Sequence, residues 1–328
     1  MYGISVFFSV TDRSFTPFLP SIGYSYRHDI SGDKNPLGKL YAAGLVLVDA
    51  ESQARVKRFY HKKDSYRCLL GRLLPRLLLK QHGVSPKEAA FGRTTSGKPF
   101  VTAYVGVLTA PHVLASPFSS TPHLEQTIGF NVSHDNEYVV MAFQKRNSQS
   151  QTGDAPQTKE KSVDVTTIGV DVMKVGLPRY EKTLTSFVST ISDTLTPSER
   201  RSLLEGADNS DGDEHTRGLR YLYLIWTLKE AYTKAIGLGL SFDFKRIEVN
   251  VHASQITVDG VQPDGWEFTA FTLKSRPGDE YQVAVARFTG DVNVAGHVDV
   301  KGLVDAKTFS WFSQYDAVSM IERIAGGE

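Results

Sequence analysis

The sequence predicts a mixed helix-and-sheet protein in two parts, and three observations lead there. Its 328 residues suggest about two domains of ordinary size, roughly 150 residues each. The stretch NSQSQTGDAPQTKEKS, within Lys145 to Ser162, has no aromatic residue and no aliphatic residue larger than Ala, so it adds nothing to a core and reads as a surface linker. Helical and strand periodicities occur on both sides of it.

With 41% apolar, 11% aromatic and 22% charged residues, the chain can bury sizeable cores, which excludes bulk disorder and the collagen-like, coiled-coil and mini-protein classes. Thirty-seven Lys and Arg against 36 Asp and Glu leave a net charge of +1, so no global field attracts nucleic acid or membrane and any anion site must be local. The single Cys68 has no intramolecular disulfide partner and the Cys/His spacing of a structural zinc site is absent, which points to a reducing compartment, the cytoplasm. The best apolar run, Leu40 to Val48, ends at Asp49, far short of the roughly 18 residues a spanning helix needs.

Met1 to Val10 is apolar without a basic leader or a small-residue cleavage site, and reads as a strand. Asp64 to His82 has leucines at 69, 70, 73, 74, 77, 78 and 79, close to the helical period, and Pro75 is expected to kink or split that helix. Tyr138 to Phe143 (YVVMAF) and Val163 to Val172 (VDVTTIGVDV) are rich in β-branched residues and read as strands flanking the linker. Tyr180 to Ile191 and Pro197 to Leu204 look helical, the second opened by Thr196 with Pro197 at the first position and Glu199 three residues on. Glu205 to Arg217 (EGADNSDGDEHTR) reads as a loop. Gly218 to Ile236 is the longest helix pattern, stopped by Gly237 and Gly239. Strands are expected at Phe242 to Val251, Trp266 to Leu273 and Gln282 to Phe288, with turns at Asp264-Gly265 and Pro277-Gly278, and a last amphipathic helix at Ala306 to Ile324.

Four segments carry residues that packing alone does not require. The first is basic: Arg55, Lys57, Arg58, His61, Lys62, Lys63 and Arg67, a pattern also shown by a solvated helix face. The second, Arg93-Thr94-Thr95-Ser96-Gly97-Lys98-Pro99, is a turn with two cations and three hydroxyls that suits phosphate oxygens, though it lacks the full P-loop pattern. The third is Phe130-Asn131-Val132-Ser133-His134-Asp135; neighbouring strand residues face opposite ways, so Ser133 and His134 are no ready-made nucleophile and base. The fourth joins Ile168-Gly169-Val170-Asp171 to Trp226-Thr227-Leu228-Lys229-Glu230-Ala231-Tyr232-Thr233-Lys234. On a strand Asp171 projects opposite Ile168, Val170 and Val172. On a helix Glu230 and Lys234 face the same way, either as an exposed ion pair or as a metal carboxylate beside a phosphate-binding ammonium.

Together GKP, NVSH, IGVD and W-x-x-K-E-A-x-x-K, in this order, resemble the signature of the Sfp-type 4′-phosphopantetheinyl transferases, and FYHKKD followed by Arg67 resembles that family's first-half helix entry. The resemblance covers roughly Ala54 to Val251, and IGVDVMK and KAIGLGLSF look most like the larger eukaryotic, aminoadipate-semialdehyde dehydrogenase-type members of broad specificity. It implies an α+β fold of two similar, pseudo-twofold-related halves with the active site in the cleft between them. The corresponding division is 1–144 with the GKP and NVSH motifs, a linker at 145–162, 163–295 with IGVD and WTLKEAYTK, and a helical extension at 296–328.

The resemblance further implies Mg²⁺- or Mn²⁺-dependent transfer of the phosphopantetheine arm of coenzyme A to a serine of a carrier protein, releasing adenosine 3′,5′-bisphosphate. Asp171 and Glu230 match the family's shared metal ligands; the third carboxylate of many bacterial members is replaced by Met173, and Asp135 is expected to complete the set. Arg55 and Arg93 fall at the nucleotide 3′-phosphate region, with Lys62 and Arg67 in the neighbouring helix entry. Lys98 and His134 are expected at the coenzyme A phosphates and Lys234 at the diphosphate, with Ser133 a positioning residue of the coenzyme A site. Proton removal is assigned to Glu230 or to metal-bound water, with His134 and Lys234 stabilising charge. The expected partners are carrier domains of fatty acid synthase, an aminoadipate reductase, polyketide synthases or peptide synthetases, served by a monomer. Two rivals stand beside this reading: a catalytically idle module binding coenzyme A or a carrier protein, favoured by the loss at Met173, and an anion or nucleic-acid binder using the Arg55 to Arg67 cluster.

Overall fold

A computed structural model of the chain describes residues 5–10, 36–81, 84–86, 89–94, 97–103, 126–145, 167–205, 212–275, 279–291, 293–294, 296–303 and 311–325. The chain is α+β and divides into two compact units. One comprises Met1–Asn131, Met141–Thr166 and Ser310–Glu328; the other comprises Val132–Val140 and Thr167–Phe309. The expected linker after Lys145 and the turn at Pro277-Gly278 fall outside the described residues.

The first unit contains α1 (Pro36–Leu45), α2 (Ala50–Lys57) and α3 (Lys62–Gln81). Asp49 caps α2, accepting from the Ser52 amide at 2.8 Å and its hydroxyl at 2.6 Å. Contrary to expectation, α3 runs through Pro75 without splitting. Leucines at 69, 70, 73, 74, 77, 78 and 79 are all buried, and at about 1.5–3 kcal/mol each they outweigh the one backbone bond a proline removes. A six-stranded sheet has the order β12-β1-β5-β4-β3-β2, formed by β1 (Ser5–Val10), β2 (Ala90–Arg93), β3 (Pro99–Ala103), β4 (Gln126–Asp135), β5 (Tyr138–Lys145) and β12 (Phe312–Asp316). The helix expected over Ala306 to Ile324 is therefore part strand, followed by α7 (Ala317–Ala325). Strand β12 pairs antiparallel with β1, Ser5 opposite Asp316; a long-range partner overrides a local helical pattern.

In the second unit β6 (Ile168–Lys174), β9 (Trp266–Lys274), β10 (Glu280–Phe288) and β11 (Val298–Leu303) make a four-stranded sheet in the order β11-β9-β10-β6. The expected strand from Val163 is described only from Ile168. The helix expected from Tyr180 is shorter, α4 (Leu184–Thr190), because the Thr183 hydroxyl caps it by accepting the Ser186 amide. Helix α5 (Pro197–Leu204) has the anticipated capping box between Thr196 and Glu199. The loop expected over Glu205 to Arg217 gives way at Gly212, where α6 (Gly212–Ala235) begins. Helix α6 ends in a Schellman motif: the Leu238 amide donates to the Thr233 carbonyl at 3.0 Å and that of Gly237 to Lys234 at 3.2 Å, with Gly237 at φ 79°.

The strand expected over Phe242 to Val251 is shortened to β7 (Ile247–Asn250), because Asp243 caps a 3-10 turn at Phe244–Arg246 by accepting the Lys245 amide. It pairs with β8 (Gln255–Val258). The core lies between α6 and the four-stranded sheet, where Leu228, Ala231, Phe268, Ala270, Ala284 and Ala286 are fully or almost fully buried. Among the described residues no helix is long and apolar enough to cross a membrane.

Candidate active site

Helix α6 separates its motif residues by face. Lys229 points into the core, donating to Glu199 Oε2 at 2.6 Å and to the carbonyls of Thr194 and Phe244 at 2.9 and 3.1 Å. Trp226 sits edge-on to Phe244, 5.9 Å between ring centroids. Glu230 and Lys234, one residue on from Lys229 and one turn further, belong to the side that meets β6. There Gly169 is the contact: a Cβ at that position would stand 2.0 Å from the Ala231 carbonyl oxygen and 2.5 Å from the Ala235 amide nitrogen. The glycine of IGVD and the alanines at 231 and 235 thus let strand and helix backbones touch, bringing Asp171, two residues along β6, against Lys234. Gly169→Ala is expected to lower stability by about 1–3 kcal/mol through overpacking, read as a lower urea midpoint; an unchanged midpoint contradicts the close approach.

Lys234 Nζ donates to Asp171 Oδ1 at 2.6 Å and to Ser133 Oγ at 3.1 Å, and the Ser133 hydroxyl donates to the same Asp171 Oδ1 at 2.8 Å. Glu230 Oε2 lies 4.0 Å from the same ammonium nitrogen. Burial pushes the Glu230 carboxyl above its ordinary range; Lys234 pulls it down and Asp171 pushes it up. The other Asp171 oxygen, Oδ2, is buried and has no hydrogen-bond partner among the described residues. Two buried carboxylates and one half-buried ammonium therefore meet, with one carboxylate oxygen unsatisfied among the described residues, an arrangement costing about 1–3 kcal/mol unless a ligand completes it.

Ser133 is buried and His134 exposed, as strand alternation requires. Asp135 has both oxygens engaged: Oδ2 accepts the Lys174 amide at 2.7 Å and Oδ1 the Asn136 side chain at 3.1 Å. Asn136 turns the hairpin into β5 with φ 44°. Met173 is partly buried against the core of this unit, so the position that lacks a carboxylate serves packing. Among the described residues no three His, Cys, Asp or Glu side chains gather closely enough to hold a metal. Asp171 Oδ2 with neighbouring Glu230 nevertheless offers the hard oxygen donors that Mg²⁺ prefers.

The remaining expected residues lie in the first unit. Arg55 is exposed on α2 and Lys62 exposed at the start of α3, while Arg67 pairs with Asp64 at 2.8 Å. Arg93 and Lys98 flank the turn between β2 and β3. Within it the Thr94 amide donates to the Lys98 carbonyl at 2.9 Å, and Arg93 Nη1 to the Gly97 carbonyl at 3.2 Å. Lys98 is 9% exposed, and burial pulls its ammonium down to about 8. Sequence reasoning overlooked Lys229: it stands in the same motif as Glu230, and only the helical period, 100° per residue, hinted that adjacent residues part company.

Residues 167–286 match the family model described as the 4′-phosphopantetheinyl transferase superfamily, and residues 34–146 the one described as 4′-phosphopantetheinyl transferase, N-terminal. The chain is 36% identical to 4′-phosphopantetheinyl transferase pptA of Paxillus involutus over 288 residues, 87% of this chain and 92% of that one. It is 25% identical to a 4′-phosphopantetheinyl transferase of Bacillus subtilis, covering 81% and 89%. It is 27% identical to the L-aminoadipate-semialdehyde dehydrogenase-phosphopantetheinyl transferase of Homo sapiens, covering 79% and 72%.

Proposed function

This chain belongs to the 4′-phosphopantetheinyl transferase superfamily, and from that premise we propose that it moves the phosphopantetheine arm of coenzyme A onto a serine of an apo carrier-protein domain. The carrier serine oxygen forms a bond to the phosphorus bearing the arm, the diphosphate P–O bond breaks, and adenosine 3′,5′-bisphosphate leaves. The attacking hydroxyl comes from the partner, so the enzyme needs no nucleophile of its own. The observation that carries this reading is the Asp171–Lys234–Glu230 group, its two carboxylates buried and Asp171 Oδ2 unsatisfied among the described residues.

Asp171 and Glu230 would hold Mg²⁺, which supplies charge neutralisation for the diphosphate when bound. Lys234, an ammonium at the same place, adds positive charge toward the leaving group. Glu230, or water held by the cation, accepts the proton of the carrier serine. Arg55, Lys62, Arg67, Arg93, Lys98 and His134 are assigned to the coenzyme A phosphates by family resemblance. Two similar, pseudo-twofold-related halves with the active site in a cleft between them belong to the same reading, supported by family membership. So does an aminoadipate reductase as one carrier partner, supported by the name of the human relative. A monomer in the cytoplasm remains the expected form.

Intact-mass spectrometry tests the reading. An apo carrier domain incubated with the protein, coenzyme A and Mg²⁺ should gain one phosphopantetheine arm, and lose that gain with EDTA or when the carrier serine is replaced. No gain across several carrier types, with coenzyme A still bound, overturns it in favour of an idle module.

Lys98 adds a pH dependence. Its ammonium is lost as pH rises through about 8, so kcat/KM for coenzyme A, which reports groups on the free enzyme, should fall across that value. Lys98→Arg should move the fall to higher pH; the same midpoint in that variant contradicts the assignment. The stability sign is opposite: between about 8 and the ordinary lysine range the unfolded chain binds the extra proton, so the contribution of Lys98 to stability rises with pH.

A further inference from the structure

We infer that Ser133 is a positioning residue that dictates which oxygen of Asp171 is available to a bound cation. The direction of the hydrogen bonds is forced. A lysine ammonium only donates, so at 3.1 Å Ser133 Oγ accepts from Lys234 and its single proton goes to Asp171 Oδ1, 2.8 Å away. Lys234 also donates directly to that oxygen at 2.6 Å. Oδ1 thus receives two donors from two elements, β4 and α6, while buried Oδ2 receives none among the described residues. Rotating the carboxylate to exchange its oxygens breaks both bonds at once, so Oδ2 stays presented.

Ser133 acts through Asp171 and not on the reacting atoms. Its hydroxyl proton goes to Asp171 Oδ1, so what the serine positions is this carboxylate. Partners that orient a metal ligand in this way typically change metal affinity by about ten- to hundredfold when removed. The inference rests on the reading above that Asp171 and Glu230 hold a divalent cation.

The test uses Mn²⁺ as probe, followed by electron paramagnetic resonance on the full chain with coenzyme A present, alongside KM for coenzyme A. Ser133→Ala should weaken Mn²⁺ binding by about ten- to hundredfold, and Ser133→Thr, which keeps the hydroxyl, should recover most of it. Equal Mn²⁺ affinity in wild type and Ser133→Ala, with only KM for coenzyme A raised, makes Ser133 a phosphate contact and overturns the inference alone. Absence of Mn²⁺ binding in the wild type overturns the cation reading itself. If Ser133→Ala fails to fold, Ser133→Cys keeps the shape with a weaker donor: reduced Mn²⁺ affinity supports the inference, and wild-type affinity overturns it.

Discussion

Replacing Asp171 with Ala should reduce phosphopantetheine transfer by roughly a thousandfold, the upper end of what one preorganised electrostatic group contributes. The carboxylate is the hub of the site: it receives Ser133 and Lys234 on Oδ1 and presents Oδ2 unsatisfied. Its loss leaves the Lys234 ammonium without its 2.6 Å partner, with Glu230 4.0 Å away, and removes one of the two oxygen donors proposed for Mg²⁺. Asp171→Asn separates charge from shape, because it keeps the volume and the acceptor oxygen but not the negative charge; it should be nearly as inactive as Asp171→Ala. The measurement is the rate of mass gain on an apo carrier domain at saturating coenzyme A and Mg²⁺. An Asp171→Ala protein with wild-type rate contradicts the site as a whole.

Lys229→Met should cost about 3–5 kcal/mol of stability, the scale for breaking a buried ion pair on one side. Lys229 and Glu199 side chains are 1% and 0% exposed, and the pair is fully hydrogen-bonded. Glu199 Oε2 accepts from Lys229 and from the Thr196 amide, and Oε1 accepts from the Val249 amide at 2.8 Å. One carboxylate thereby ties the start of α5 to β7, and one ammonium ties α6 to both turns that flank them. Without Lys229 a buried anion is left, which burial pushes toward its neutral form. The folded variant then takes up a proton more readily than its unfolded chain, so its deficit should shrink as pH falls and grow as pH rises. Urea midpoints at acidic and neutral pH read this directly, and adding Glu199→Gln should recover part of the loss. A Lys229→Met variant as stable as wild type at neutral pH contradicts the account.

These two lysines show how far sequence reading reaches. Lys229 and Lys234 stand in one motif, and spacing along the helix places Lys234 with Glu230. That Lys229 turns to a buried Glu199 depends on a capping residue 30 positions earlier, which no local pattern announces. Asp171 was legible because a strand alternates and a carboxylate opposite an apolar face needs a reason. Gly169 was legible only as a letter in a motif; its reason, a backbone contact with α6, belongs to packing.

What the sequence by itself determined were the elements whose cause is local. The leucine period made α3, the Thr196–Glu199 box opened α5, and Gly237 closed α6, each through bonds or buried faces within a few residues. Family motifs in the right order named the chemistry. Only tertiary structure decided what depends on a distant partner: that Phe312–Asp316 is a strand because β1 lies beside it, and that Asp135 spends both oxygens on hydrogen bonds. It also decided that the Ser133 hydroxyl donates to Asp171. The physical reason is that a hydrogen bond or buried charge is worth what its partner makes it, and in these cases the partner lies many residues away along the chain.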